Sequence, residues 1–118
     1  MEILAEMSDD LLQAAQVCEI LSIGRLELMR RRDTGRIIAI LVETEFLYPA
    51  WQLEDGKVLP GIETFLSAYP GYDPICWVDM LLAPDPMFGD RNLLQVIKDG
   101  DSDLLQRYIL QNKTDGHV

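Results

Sequence analysis

Apolar residues recur at helical spacing through the first part of the chain. Leu11, Leu12 and Ala15 are followed by Val17, Cys18, Ile20 and Leu21, after a Ser8-Asp9-Asp10 start of the kind that caps a helix. This pattern predicts one bent helix or two short ones. Ser22-Ile23-Gly24 interrupts it, and Arg25 to Asp33 predicts another helix, with Leu26, Leu28 and Met29 inward and Arg25, Arg30, Arg31 and Arg32 mostly outward. Thr34-Gly35 supplies the stop, because glycine takes the left-handed conformation in which helices commonly end.

The pattern then changes. Arg36 to Val42 is rich in β-branched residues, and Phe46 to Leu53 is a second extended candidate after the Glu43-Thr44-Glu45 connection, which together predict a hairpin. Pro49 lacks a ladder donor and predicts an edge strand, and Glu54-Asp55-Gly56-Lys57 is the next turn. Helical spacing returns at Ile62, Phe65, Leu66 and Tyr69, in a helix expected from Pro60 to Tyr69. Asp73-Pro74 opens a further helix through Trp77 to about Leu82, which Ala83-Pro84-Asp85-Pro86 ends. Arg91 to Asp99 and Asp101 to Gln111 predict two more, and the polar residues 112–118 a flexible tail. The fold class expected is mainly α: a helix-turn-helix-like unit over residues 1–35, a β-hairpin connector over 36–59 and a helical domain over 60–111.

The chain is 118 residues long with 48% apolar and 25% charged composition, which suits one compact domain. It opens without a basic leader region, and no apolar run approaches the roughly 20 residues of a membrane span, so a cytoplasmic location is expected and no membrane partner. Cys18 and Cys76 lie within apolar helical patterns and are expected to be reduced core thiols.

Charge sharpens the picture. Net charge is −10, yet residues 25–36 carry five arginines against Glu27 and Asp33, whereas residues 1–24 carry five acids and no base. A basic face on an acidic chain points to an anionic partner. From Ala14 to Gly35 the apolar skeleton of Cys18, Leu21, Ile23 and Leu28 matches a helix-turn-helix, and on that register Arg25, Met29 and Arg30 project toward a DNA major groove. The candidate DNA-binding residues are therefore Arg25, Met29, Arg30, Arg31, Arg32 and Arg36. Ser22 stands where the turn usually has Gly, and Gly24 where the second helix usually has a Ser or Thr cap. The competing reading of Arg30-Arg31-Arg32 is a solvated helix C-terminus, where the helix dipole favours cations.

Catalytic chemistry finds little footing. The single histidine, His117, lies in the expected tail. Asp99, Asp101 and Asp103 alternate as in a calcium loop, but Leu104 and Leu110 occupy the positions that need Gly and Glu. They read as a helix junction, with Asp101 or Ser102 capping the last helix. Glu43 and Glu45 would need a pocket to act as an acid and base pair, and no phosphate-cradling glycine motif occurs. No enzyme activity, cofactor or metal is expected. Trp51, Trp77 and Met80 read as core.

Four later segments complete the reading: Tyr48-Pro49-Ala50-Trp51-Gln52, Gly56-Lys57-Val58-Leu59-Pro60-Gly61, Gly89-Asp90-Arg91-Asn92-Leu93 and Val96-Ile97-Lys98-Asp99-Gly100-Asp101. Their order after a helix-turn-helix-like stretch resembles the Xre/MbcA/ParS-like antitoxin family. The resemblance runs from about Ser8 to Ile109, with Asn92 where members often have a proline. It implies a homodimeric regulator that binds operator DNA and holds a RES-domain toxin, a class whose members consume NAD. The toxin-facing surface it implies lies around Arg91, Lys98, Asp101, Gln106, Arg107 and Gln111. Two alternatives stand beside it: a protein-interaction module of the same fold that no longer binds DNA, and a stand-alone regulator without a toxin.

Overall fold

The computed structural model describes residues 10–115, with side chains from 10 to 111. Six α-helices and five short strands make up the described chain, so helices dominate and the sheets are small. β1 (Leu11–Gln13) leads into α1 (Ala14–Leu21) and α2 (Arg25–Asp33), and β2 (Ile40–Val42) and β3 (Glu45–Pro49) form a hairpin. A 3-10 turn, Ala50–Gln52, passes to the small hairpin β4 (Leu53–Glu54) and β5 (Lys57–Val58). α3 (Pro60–Ala68), α4 (Pro74–Leu82), α5 (Leu93–Lys98) and α6 (Ser102–Asp115) complete the chain.

Two expectations for the first half are corrected. Leu11 and Leu12 are strand residues, because β1 pairs antiparallel with β3 in the register Leu11 with Pro49, Leu12 with Tyr48 and Gln13 with Leu47. The expected cap at Ser8-Asp9 lies outside the described residues. β3 is consequently the centre of a three-stranded sheet ordered β1-β3-β2, not an edge. Pro49 is tolerated there as the last residue of its strand, where a missing donor costs the ladder least. The hairpin thus pairs directly with the strand that precedes α1.

The helix boundaries follow local chemistry. Asp73 accepts a hydrogen bond from the Ile75 N–H at 2.9 Å and Pro74 takes the first position of α4. Asn92 accepts from Gln95 N–H and the Gln95 side chain accepts from Asn92 N–H, both at 2.9 Å, so a reciprocal capping box opens α5. Asp55 and Gly56 have φ of 54° and 75°, the left-handed pair that a two-residue Asp-Gly hairpin requires. α6 runs on to Asp115, four residues past the predicted end, and the remainder of the expected tail, with His117, lies outside the described residues.

One hydrophobic core spans both halves. Val17, Leu21 and Leu28 from α1 and α2 join Ile37, Ile38 and Ile40, then Ile62, Phe65, Val78, Leu93, Val96, Leu105 and Ile109 from the helical half. Trp77 is buried as expected and Trp51 is half-buried against the core. Both cysteines are free thiols, but Cys76 is exposed on the outer face of α4, which corrects its expected place in the core. Among the described residues no helix is long and apolar enough to cross a membrane.

Candidate functional site

The junction of α1 and α2 is built from backbone hydrogen bonds. Ser22 takes φ 56° and ψ 45°, its N–H donates to the Glu19 carbonyl at 3.3 Å, and the Ile23 N–H donates to the Cys18 carbonyl at 3.0 Å. This is the double closure usually reserved for glycine, and serine holds it at a cost of about 1 kcal/mol in left-handed strain. Gly24 then caps α2 in an extended conformation without a side-chain acceptor. The other end of α2 closes in the same way: Gly35 has φ 70°, its N–H donates to Arg32 and the Arg36 N–H donates to Arg31.

Rotation of 100° per residue divides α2 into faces. Leu28 is buried and fixes the inner face, and Glu27, Arg31 and Arg32 lie half-buried beside it. Leu26 and Met29 occupy the outer face, 62% and 45% exposed, with Arg25 on one flank, Arg30 on the other and Asp33 at the far end. The expectation that Leu26 and Met29 face inward is corrected here; only Leu28 does. Met29 is exposed on the same side of the helix as Arg25 and Arg30.

The five arginines separate by their partners. Arg31 Nε donates to Glu27 Oε2 at 3.1 Å, and Arg36 Nη2 approaches the same oxygen at 3.9 Å. Arg36 Nε also donates to Thr34 Oγ1 at 3.0 Å. Arg32 lies 4.0 Å above the Phe46 ring, with Asp33 Oδ1 at 3.4 Å from its Nε, so it ties α2 to β3. Arg25 and Arg30 enter no ion pair among the described residues and are exposed. The cluster therefore resolves into three arginines with partners inside the protein, of which Arg32 alone reaches another element, and two whose charge is open to a partner.

The hairpin beside α2 has the opposite sign. Its tip carries Glu43, Thr44 and Glu45, all exposed, with Glu43 at φ 59°. Arg25 and Arg32 share a groove with Glu45, Phe46 and Gln13 between this hairpin and the helix.

A separate groove of about 340 Å³ runs between α3 and the α5–α6 junction, lined by Leu59, Ile97 and Leu105 with Lys98, Asp101 and Gln106 on its polar side. Three of the six residues proposed to face a toxin are thus brought together. Arg91 is otherwise engaged: Nη1 donates to Asp99 at 3.0 Å and Nη2 lies 3.7 Å from Asp101. Asp101 also accepts from the Leu104 N–H at 3.3 Å, in the capping role expected for the junction. Arg107 and Gln111 are exposed one turn apart on α6 and do not line the groove. Among the described residues no cluster of three or more His, Cys, Asp or Glu is placed to hold a metal.

Gln52 is the residue the sequence pattern undervalued. Its fully buried amide accepts from the Ile38 N–H and donates to the Ile38 carbonyl, each at 2.8 Å. The Tyr48–Gln52 run is therefore a strand end and turn that clamps the segment after α2.

No family model matches the chain, and no curated protein matches it. Among solved structures it is similar to the NMR structure of Rv2175c, with a TM-score of 0.70 and 15% identity over 86% of this chain and 80% of that one. At that identity the likeness establishes a shared fold.

Proposed function

We propose that this protein is a DNA-binding transcriptional regulator of the antitoxin kind, with α2 as the helix that enters the major groove. The observation that carries the reading is the outer face of α2, where Arg25 and Arg30 flank Leu26 and Met29 and have no ion-pair partner among the described residues. The frame supports it: strand, helix, three-residue turn, helix and hairpin, with sheet order β1-β3-β2, is the arrangement of winged helix-turn-helix units. Phosphates would be met by Arg25 and Arg30, while Arg31 and Arg36 are engaged by Glu27 of the helix itself and Arg32 ties the helix to the hairpin through Phe46. The carboxy-terminal half of the reading, a RES-class toxin held at the α5–α6 junction, draws on the Tyr48–Gly61 resemblance and on the groove that collects Lys98, Asp101 and Gln106. A homodimer follows from the same resemblance and from the paired half-sites such regulators use.

A second reading, a protein-interaction module that does not bind DNA, is favoured by the acidic hairpin tip and by the three internally committed arginines. An anisotropy titration against duplex DNA from upstream of the chain's own gene separates the two. Salt-sensitive binding that Arg25→Ala and Arg30→Ala each weaken is expected; binding indifferent to both substitutions, or none at low salt, sinks the DNA reading. Co-purification with the product of a neighbouring gene tests the toxin half independently.

A further inference from the structure

We infer that α2 reads DNA sequence chiefly through the methyl groups of thymine, with Leu26 and Met29 as the specificity-determining residues; this rests on the DNA-binding reading above. Base edges in the major groove offer hydrogen-bonding atoms and, on thymine alone, an exposed methyl. A helix that discriminates bases by hydrogen bonds needs Arg, Lys, Asn, Gln or Glu in the middle of its outer face. Here the middle holds Leu26 and Met29, 62% and 45% exposed, and the polar groups stand to the sides. Arg25 lies toward the hairpin groove and Arg30 on the opposite flank, so both are positioned for phosphates along the groove walls. Asp33, the remaining outer residue, sits at the far end and is engaged by Arg32.

Charge selects the occupant of this apolar strip. A second copy of the chain would bring another set of unpartnered arginines against Arg25 and Arg30, on a surface where like charges repel. A duplex brings phosphates to both flanks and methyl groups to the centre. Leu26 belongs to the first turn of α2, the end that reaches base edges in this class of unit, and Met29 follows one turn later with an unbranched, adaptable side chain.

The test begins with selection of preferred duplexes from a random-sequence pool by the full chain. Each thymine of a selected duplex is then replaced by deoxyuridine, which removes the methyl and leaves every hydrogen-bonding atom. At least one replacement should weaken binding about fourfold, the effect of one buried methyl-sized group. Leu26→Ala or Met29→Ala should abolish that preference, whereas Arg30→Ala should weaken thymine and uracil duplexes alike. Both apolar residues are exposed, so these variants keep the core intact. Equal affinity for thymine and uracil duplexes, or a methyl preference that survives both alanine variants, overturns the inference while leaving DNA binding in place. Failure to enrich any duplex at low salt overturns the regulator reading and this one with it. A Leu26→Ala variant that changes the sedimentation of the protein without DNA would assign the strip to self-association and overturn it too.

Discussion

Gln52 does with its side chain what a neighbouring strand would do with its backbone, closing both polar groups of Ile38 in a site without water access. Removing it leaves a donor and an acceptor buried and unpaired, at about 1–3 kcal/mol each. Gln52→Ala and Gln52→Leu should therefore both lower urea stability by about 2–4 kcal/mol, the second despite refilling the volume; a Leu variant as stable as the parent would show that packing is its main contribution. Tyr69 presents the contrary case. It is almost fully buried, its hydroxyl has no hydrogen-bond partner among the described residues, and its pKa is pushed up to about 12, first by burial and then by Tyr108 and Tyr72. Unfolding returns it to 10.0, so the unfolded state releases its proton first as pH rises. Relative to its value at neutral pH, stability is thus unchanged by this group below pH 10 and falls between 10 and about 12, where the unfolded tyrosine ionises and the buried one does not. Tyr69→Phe should leave stability at neutral pH unchanged or raise it by up to about 1 kcal/mol, and should flatten this alkaline fall in a pH series of denaturation curves.

At the scale of elements, the contact between α3 and α5 depends on Gly61. A Cβ there would lie 2.6 Å from Ile97 Cγ2 and within 3.3 Å of two more atoms of the same side chain, so the first turn of α3 sits directly on a β-branched residue with little rotamer freedom. Gly61→Ala should cost about 1–3 kcal/mol through overpacking. Ile97→Ala, which removes both Cγ atoms that the new Cβ would meet, should recover part of that loss in a double-mutant cycle, whereas additive losses would place the damage elsewhere. The helices were largely legible in sequence, since α3 to α6 carry their own periodicity and caps, and Pro60, Asp73-Pro74 and Gly100 mark their limits. β1 was not legible. Leu11 and Leu12 continue the apolar spacing of α1, and only the distant partner β3, 36 or more positions along, recruits them into a sheet. The same long-range pairing moved Pro49 from an edge strand to the end of a central one.

For the whole molecule, sequence located the candidate site but could not divide it. The arginine cluster stood out against a net charge of −10, yet which arginines are free depends on Glu27, reached within α2, and on Phe46, reached only after the hairpin folds back. Folding thus reduces five arginines within twelve positions to two with open charge and sets them beside a hairpin whose tip is acidic. On the proposed function, few phosphates are neutralised per chain, and the salt dependence of binding should record that number. Two arginines predict a plot of log affinity against log salt with a slope of about −2 for one chain on DNA and about −4 for a pair on a two-fold site. Arg30→Ala should make the slope shallower by about one per bound chain. Arg31→Ala should leave the slope alone and act through stability, because its charge is already spent on Glu27. A parent slope much steeper than −4 would mean that Arg31, Arg32 and Arg36 abandon their internal partners on DNA, and with them the division of the cluster that the fold creates.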